Sequence, residues 1–140
     1  MKFKGFTLFS ALFSMYCALA FASTGYYRGY FMSLKDAQKK WGIKVLDKDL
    51  FKNGDHTKRE SMAVHIVVNQ TFVGKPMKLV RTELGDPDSY FFSDTIYAYK
   101  IMPYPGEGKE IWHLVFIPDD KLEKVKEVKI HKKCCYKPLE

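Results

Sequence analysis

Apolar positions recur at helical spacing through the first half of the chain and with a period of two through the second. The change falls at Leu84-Gly85-Asp86-Pro87. Ser33, with Asp36 three residues on, is an N-cap pair, and it predicts a short helix over Leu34–Trp41 that Gly42 stops. Residues Ile43 to Asp55 follow no clear period, and Asn53-Gly54-Asp55 is a turn signal. Met62, Ala63, Ile66 and Val67 then share one helical face, which Val64 and Val68 widen, so a largely buried second helix is expected from a cap at Asp55 or Thr57 to about Asn69. Pro76 suits the first turn of a third helix, whose apolar face is Met77, Val80 and Leu84. Gly85 supplies its C-cap, and Pro87 prevents its continuation.

Beyond that point β-branched and aromatic residues dominate, and strands are expected over Tyr90–Ser93, Thr95–Met102, Glu110–Ile117 and Val125–Ile130. The Glu110–Ile117 run is apolar on both faces, with Trp112, Leu114 and Phe116 alternating with Ile111, His113, Val115 and Ile117, as in a central strand. In the last run the alternation slips near Lys126-Glu127, the mark of a bulged or edge strand that Lys124, Lys126 and Lys129 would protect from edge-to-edge pairing. The expected fold is therefore α+β: two or three short N-terminal helices on one face of a three- to four-stranded antiparallel sheet.

The N-terminus changes this picture by placing the chain outside the cytoplasm. Lys2 and Lys4 precede the apolar run Phe6–Leu19, and Ala20-Phe21-Ala22 completes the order of charge, apolar core and A-x-A site of a cleavable signal peptide over residues 1–22. The apolar run is shorter than the roughly 20 residues that span a bilayer. Cys17 is no lipid-attachment site, because bulky Tyr16 stands where a small residue is needed. Residues 23–140 then form a single domain, periplasmic or secreted, with no stable membrane anchor. The formal charge of +7 loses Lys2 and Lys4 with the peptide. That mild excess fits anions or acidic partners, and an exported chain is not expected to meet nucleic acid.

Candidate chemistry is sparse. Cys134 and Cys135 are adjacent, with His131 just before them. Neighbouring Cα atoms lie ~3.8 Å apart, short of the about 4.4–6.8 Å of ordinary disulfides, so a bridge between them would be strained. A redox switch, soft-metal binding with His131, intermolecular bridges and an incidental pair all remain open readings. Three ligands do not close a tetrahedral zinc site, and His113 is the nearest candidate for a fourth. His65 lacks a second ligand at i+4, and Glu83, Asp86, Asp88 and Asp94 are explained by turn chemistry. Gly106-Glu107-Gly108-Lys109 lacks the upstream glycine and the Ser or Thr of a phosphate loop. No G-x-S-x-G, H-E-x-x-H or C-x-x-C occurs. Neither catalysis, a cofactor nor a metal is expected.

Gly74, Val80 and Leu84-Gly85-Asp86-Pro87, followed by Tyr97, Tyr99, Phe116 and Asp119, make the chain resemble the BamE-like (SmpA/OmlA) family of small bacterial envelope proteins. That family shows a glycine, a helix ending Leu-Gly-x-Pro, and aromatic strands closing on an Asp-containing turn. Proteins that inhibit β-lactamases are built from similar α/β units. The resemblance implies an α+β protein-binding module of the cell envelope, and as an alternative an inhibitor of a secreted hydrolase such as a β-lactamase. A thiol or metal protein using His131, Cys134 and Cys135 is a second alternative. The short arm 23–32 carries Tyr26, Tyr27 and Tyr30 around Arg28, residue types enriched at binding hot spots. Together with Tyr97 and Tyr99 these tyrosines are the expected anchors for a protein partner.

Overall fold

A computed structural model describes residues 29–54, 58–102 and 111–133. Five strands, β1 (Gly29–Phe31), β2 (Ser89–Tyr90), β3 (Tyr97–Lys100), β4 (Ile111–Pro118) and β5 (Val125–Lys133), form one sheet in the order β1-β5-β4-β3-β2. Every neighbouring pair is antiparallel. Four helices lie between β1 and β2 in the chain: α1 (Leu34–Trp41), α2 (Lys48–Asn53), α3 (Arg59–Val68) and α4 (Met77–Leu84). The α+β class expected from the periodicity is what the chain adopts.

Local chemistry accounts for the helix ends. Ser33 accepts from the Asp36 amide at 3.2 Å while its hydroxyl donates to the Asp36 carboxylate at 2.6 Å, and Gly42 at φ 68° closes α1 on Gln38. Asp47 caps α2 by accepting from the Leu50 amide. This helix lies inside the stretch with no readable period, and six residues are too few to establish one. At the end of α3 the Thr71 amide donates to Ile66 and the Gln70 amide to Val67, a Schellman pair that puts Gln70 at φ 48°, where glycine is the usual residue. Gly85 ends α4 at φ 84°, and a Cβ there would stand 3.0 Å from Lys52.

The sheet is wider than the expected three to four strands because part of the aromatic arm, Gly29–Phe31, pairs with Phe31 opposite His131 and becomes β1. β5 consequently runs on to Lys133 and is an interior strand over its second half. Its slipped alternation is real: the register with β4 shifts at Ile117/Pro118, opposite Lys126-Glu127. Asp119 closes the β4–β5 turn by accepting from the Glu123 and Lys124 amides, and these hold its carboxyl below the usual carboxylate range. The expected strand over Tyr90–Ser93 stops at Tyr90, since Phe92 adopts φ 65° and turns the chain.

Both faces of β4 are covered. On one, Trp112, Leu114 and Phe116 join Tyr99, Val128 and Ile130 against Phe51, Met62, Ile66, Val80 and Leu84 of the helices. On the other, Val115 and Ala98 pack under Phe91, with Ile96 and Ile117 at the margin. The returning 91–96 segment thus explains why β4 is apolar on both sides.

One cation ties the layers together. Arg59, the first residue of α3, is almost wholly buried. Its Nε donates to the Phe51 carbonyl at 2.7 Å, and its Nη1 donates to Asp88 at 2.6 Å and to the Lys100 carbonyl at 3.2 Å. The guanidinium also lies over the Phe51 ring, and Asp88 accepts from the Lys100 amide at 2.7 Å with its other oxygen. One side chain therefore joins α2, α3, the turn after α4 and the end of β3.

Two stability predictions follow from these geometries. Arg59→Met removes the buried cation on which Asp88 and the Phe51 and Lys100 carbonyls converge, and urea unfolding should show a loss of about 3 kcal/mol; a loss below about 1 kcal/mol would show that the helix layer is held by apolar packing alone. Gln70→Gly relieves the left-handed residue and should stabilise the protein by about 1 kcal/mol in the same assay.

Candidate functional site

Exposed aromatic and aliphatic side chains gather around β1 and the start of α1. Tyr30 is 53%, Phe31 39% and Leu34 43% exposed. Alternation along β1 sends the two aromatics to opposite faces of the sheet. Tyr30 sits edge-on to Trp112, whose other neighbour is Trp41, and the Lys132 ammonium lies over both the Tyr30 and Trp112 rings. Phe31 lies on the opposite face against His131 and Phe91, with the Lys129 ammonium 4.7 Å from its ring centroid. The aromatics are thus pinned in place, so presenting them to a partner costs little ordering entropy.

Beside β1 the sheet edge opens into a groove of about 630 Å³. Its buried members are Val128 and Ile130 of β5, and its exposed ones include Phe31, Leu34 and Val73, with Lys126 and Lys129 alongside. The backbone of β5 explains the opening. Ile130 accepts from the Met32 amide and so faces β1, whereas Val125 exchanges hydrogen bonds with Gly74 and Lys75 and so faces their loop. These two residues lie five apart, and the bulge at Lys126-Glu127 supplies the extra residue that lets both face outward. Between them the outward-facing residue is Val128. No described residue outside the β4–β5 ladder hydrogen-bonds its N–H or C=O.

The tyrosines expected as anchors separate into distinct environments. Tyr30 is exposed at the groove's end of the sheet. Tyr97 is half-buried beneath Arg81. Tyr99 is fully buried and its hydroxyl donates to the Gly85 carbonyl at 2.8 Å, so it is a core residue and offers no surface to a partner. Its side of β3 is the helix-covered side, a fact that alternation within the strand does not reveal. Tyr26 and Tyr27 lie outside the described residues, as do Cys134, Cys135 and the signal peptide.

His131 is buried between Phe31 and Phe91 and is the register partner of His113. The two histidines expected to lie near one another are therefore neighbours across β4 and β5. Among the described residues no group of three His, Cys, Asp or Glu side chains is placed to hold a metal. His113 Nε2 lies 2.9 Å from Ser89 Oγ at the edge of a second, shallow cleft of about 490 Å³ lined also by Asp88 and Lys100. Asp88 accepts from Arg59 with one carboxylate oxygen and from the Lys100 amide with the other.

Sequence reasoning did not find the groove. Phe31, Leu34, Val73 and Val128 come from four separate segments, and only the slip at Lys126-Glu127 marked that edge of the sheet. The chain matches no protein-family model, and no curated protein or solved structure is similar to it. Among the described residues no helix is long and apolar enough to cross a membrane.

Burial pushes the Tyr99 phenol well above the ordinary tyrosine value. The unfolded chain ionises this group near pH 10 while the folded chain keeps it protonated, so its contribution to stability is full below pH ~10 and falls as pH rises beyond it. Thermal melts at pH 9 and 11 should therefore show a larger drop for the wild type than for Tyr99→Phe. Equal drops would mean that Tyr99 ionises freely in the fold.

Proposed function

We propose that this protein is an exported, non-catalytic protein-binding module of the bacterial cell envelope, periplasmic or secreted, similar in role to the BamE-like envelope proteins. The observation that carries this reading is the fixed, exposed aromatic edge: Tyr30 and Phe31 stand on a strand beside an apolar groove, each ring backed by a lysine. Exposed apolar clusters of this kind mark interaction sites more often than isolated exposed side chains do. Aromatic anchors held by their neighbours are the residues on which binding energy concentrates.

The N-terminal pattern of residues 1–22 supports export, and Tyr26 and Tyr27 precede Tyr30 closely in the chain. No step of this reading needs a metal, a cofactor or the thiols of Cys134 and Cys135.

Affinity capture from envelope and culture-supernatant fractions, with mass spectrometry of what is retained, tests it. A discrete protein partner should be recovered, and Tyr26→Ala, Tyr27→Ala and Tyr30→Ala combined should reduce its recovery at least tenfold while the melting temperature stays within a few degrees. Recovery of one secreted hydrolase, inhibited on binding, would assign the inhibitor role instead. Unchanged recovery by the triple variant would remove the arm from the interface.

A further inference from the structure

We infer that the groove beside Val128 is a docking slot for an extended peptide segment of the partner, one that carries a large apolar side chain flanked by carboxylates. This inference rests on the protein-binding reading above and assigns it a site and a ligand chemistry.

Three observations define the occupant. The first is the backbone. β5 is paired on its outer side by β1 at one end and by the Gly74-Lys75 segment at the other, and both ends of that edge are closed by short extended stretches of this chain. Among the described residues, none bonds the Val128 N–H or C=O on that side, and Ile130 has its carbonyl taken there by the Met32 amide. An extended chain is the ligand that satisfies both groups, by adding a short stretch of strand. The gap also limits its length. The two closed positions, Val125 and Ile130, lie five residues apart, so roughly 16 Å of edge is spanned at about 3.3 Å per residue, and two or three residues of a visitor fit between Gly74 and Met32.

The second is the lining. Val128 and Ile130 are buried in the groove while Phe31, Leu34 and Val73 remain exposed in it, an apolar cavity large enough for one bulky side chain. The third is charge. Lys126, Lys129 and Glu127 line the same groove, which leaves a positive excess; Lys126 pairs with the fully exposed Asp120 and Lys129 with the half-exposed Glu127, surface pairings that are weak and exchangeable. A peptide with carboxylates on either side of its apolar residue meets two ammoniums there, and a basic peptide is repelled.

The edge is also defended against a longer visitor. The bulge at Lys126-Glu127 twists the strand and the two flanking segments block continuation, so this is a narrow slot and no open template for sheet stacking.

Fluorescence anisotropy with the purified full chain and a labelled peptide Glu-Leu-Asp-Phe-Glu tests the inference, with a twin in which lysine replaces the three acidic residues as control. The acidic probe should bind saturably and the lysine twin should bind at least tenfold more weakly. The double variant Lys126→Glu/Lys129→Glu and the single variant Val73→Asp, at an exposed position, should each weaken the acidic probe at least tenfold with the circular dichroism spectrum unchanged. No binding by the wild type, equal binding of the twin, or binding that both variants leave within twofold overturns the inference. So does a concentration-dependent dimer in sedimentation that the same variants dissolve, since a second copy would then fill the groove. If the partner captured by the wild type is retained undiminished by Val73→Asp, the slot fails while the binding reading stands; if the wild type captures no discrete partner, that reading fails on its own evidence.

Discussion

Arg59 is the constraint on which the arrangement of this protein turns. A guanidinium removed from water must have its donors filled, and the donors of Arg59 reach the carbonyl that ends α2, the carboxylate of Asp88 and the carbonyl that ends β3. No apolar contact has that directional reach. The clamp sets where α3 begins, and α3 in turn carries Val67 and Gln70 to the groove at its far end. The helix is thus anchored by charge at one end and lines the groove at the other.

The sheet shows a second consequence of unsatisfied backbone groups. An interior strand such as β4 has both sides of its ladder filled, but β5 must borrow partners from two unrelated segments, and the three residues of β1 are too few to finish the work. The extra residue at Lys126-Glu127 brings Val125 and Ile130 to the same side, and among the described residues none bonds the Val128 backbone between them on that side. Apolar lining and lysines surround that single gap. Edge exposure is normally a hazard for a protein in water, and here it is reduced to a short gap that does not invite aggregation.

Much of this was legible in the chain before any coordinates. Ser33 with Asp36, Pro76 with Gly85, and the double apolar face of Glu110–Ile117 act through local geometry, and the elements they predict are present. α2 was not legible, because six residues give no period to read, and neither was β1, because three residues become a strand only through the partner they find. Arg59 stands between Lys58 and Glu60 and reads as one more solvated charge; only the tertiary fold buries it. Tyr97 and Tyr99 show the limit of alternation most plainly. Period two places both on one side of β3, but it does not say that this side faces the helices, nor that Tyr99 would end in the core while Tyr97 stays at its margin. The groove was invisible for a related reason, since it is assembled from residues that are far apart in the chain.

The most direct test of the account is amide hydrogen exchange of the free protein, resolved by residue along β5. The Glu127 and Lys129 amides face β4 and should be strongly protected, whereas the Val128 amide between them faces the groove and should exchange orders of magnitude faster, despite the burial of its side chain. Equal protection at all three positions would mean that the outer edge of β5 is already closed, and it would contradict the slot we propose there.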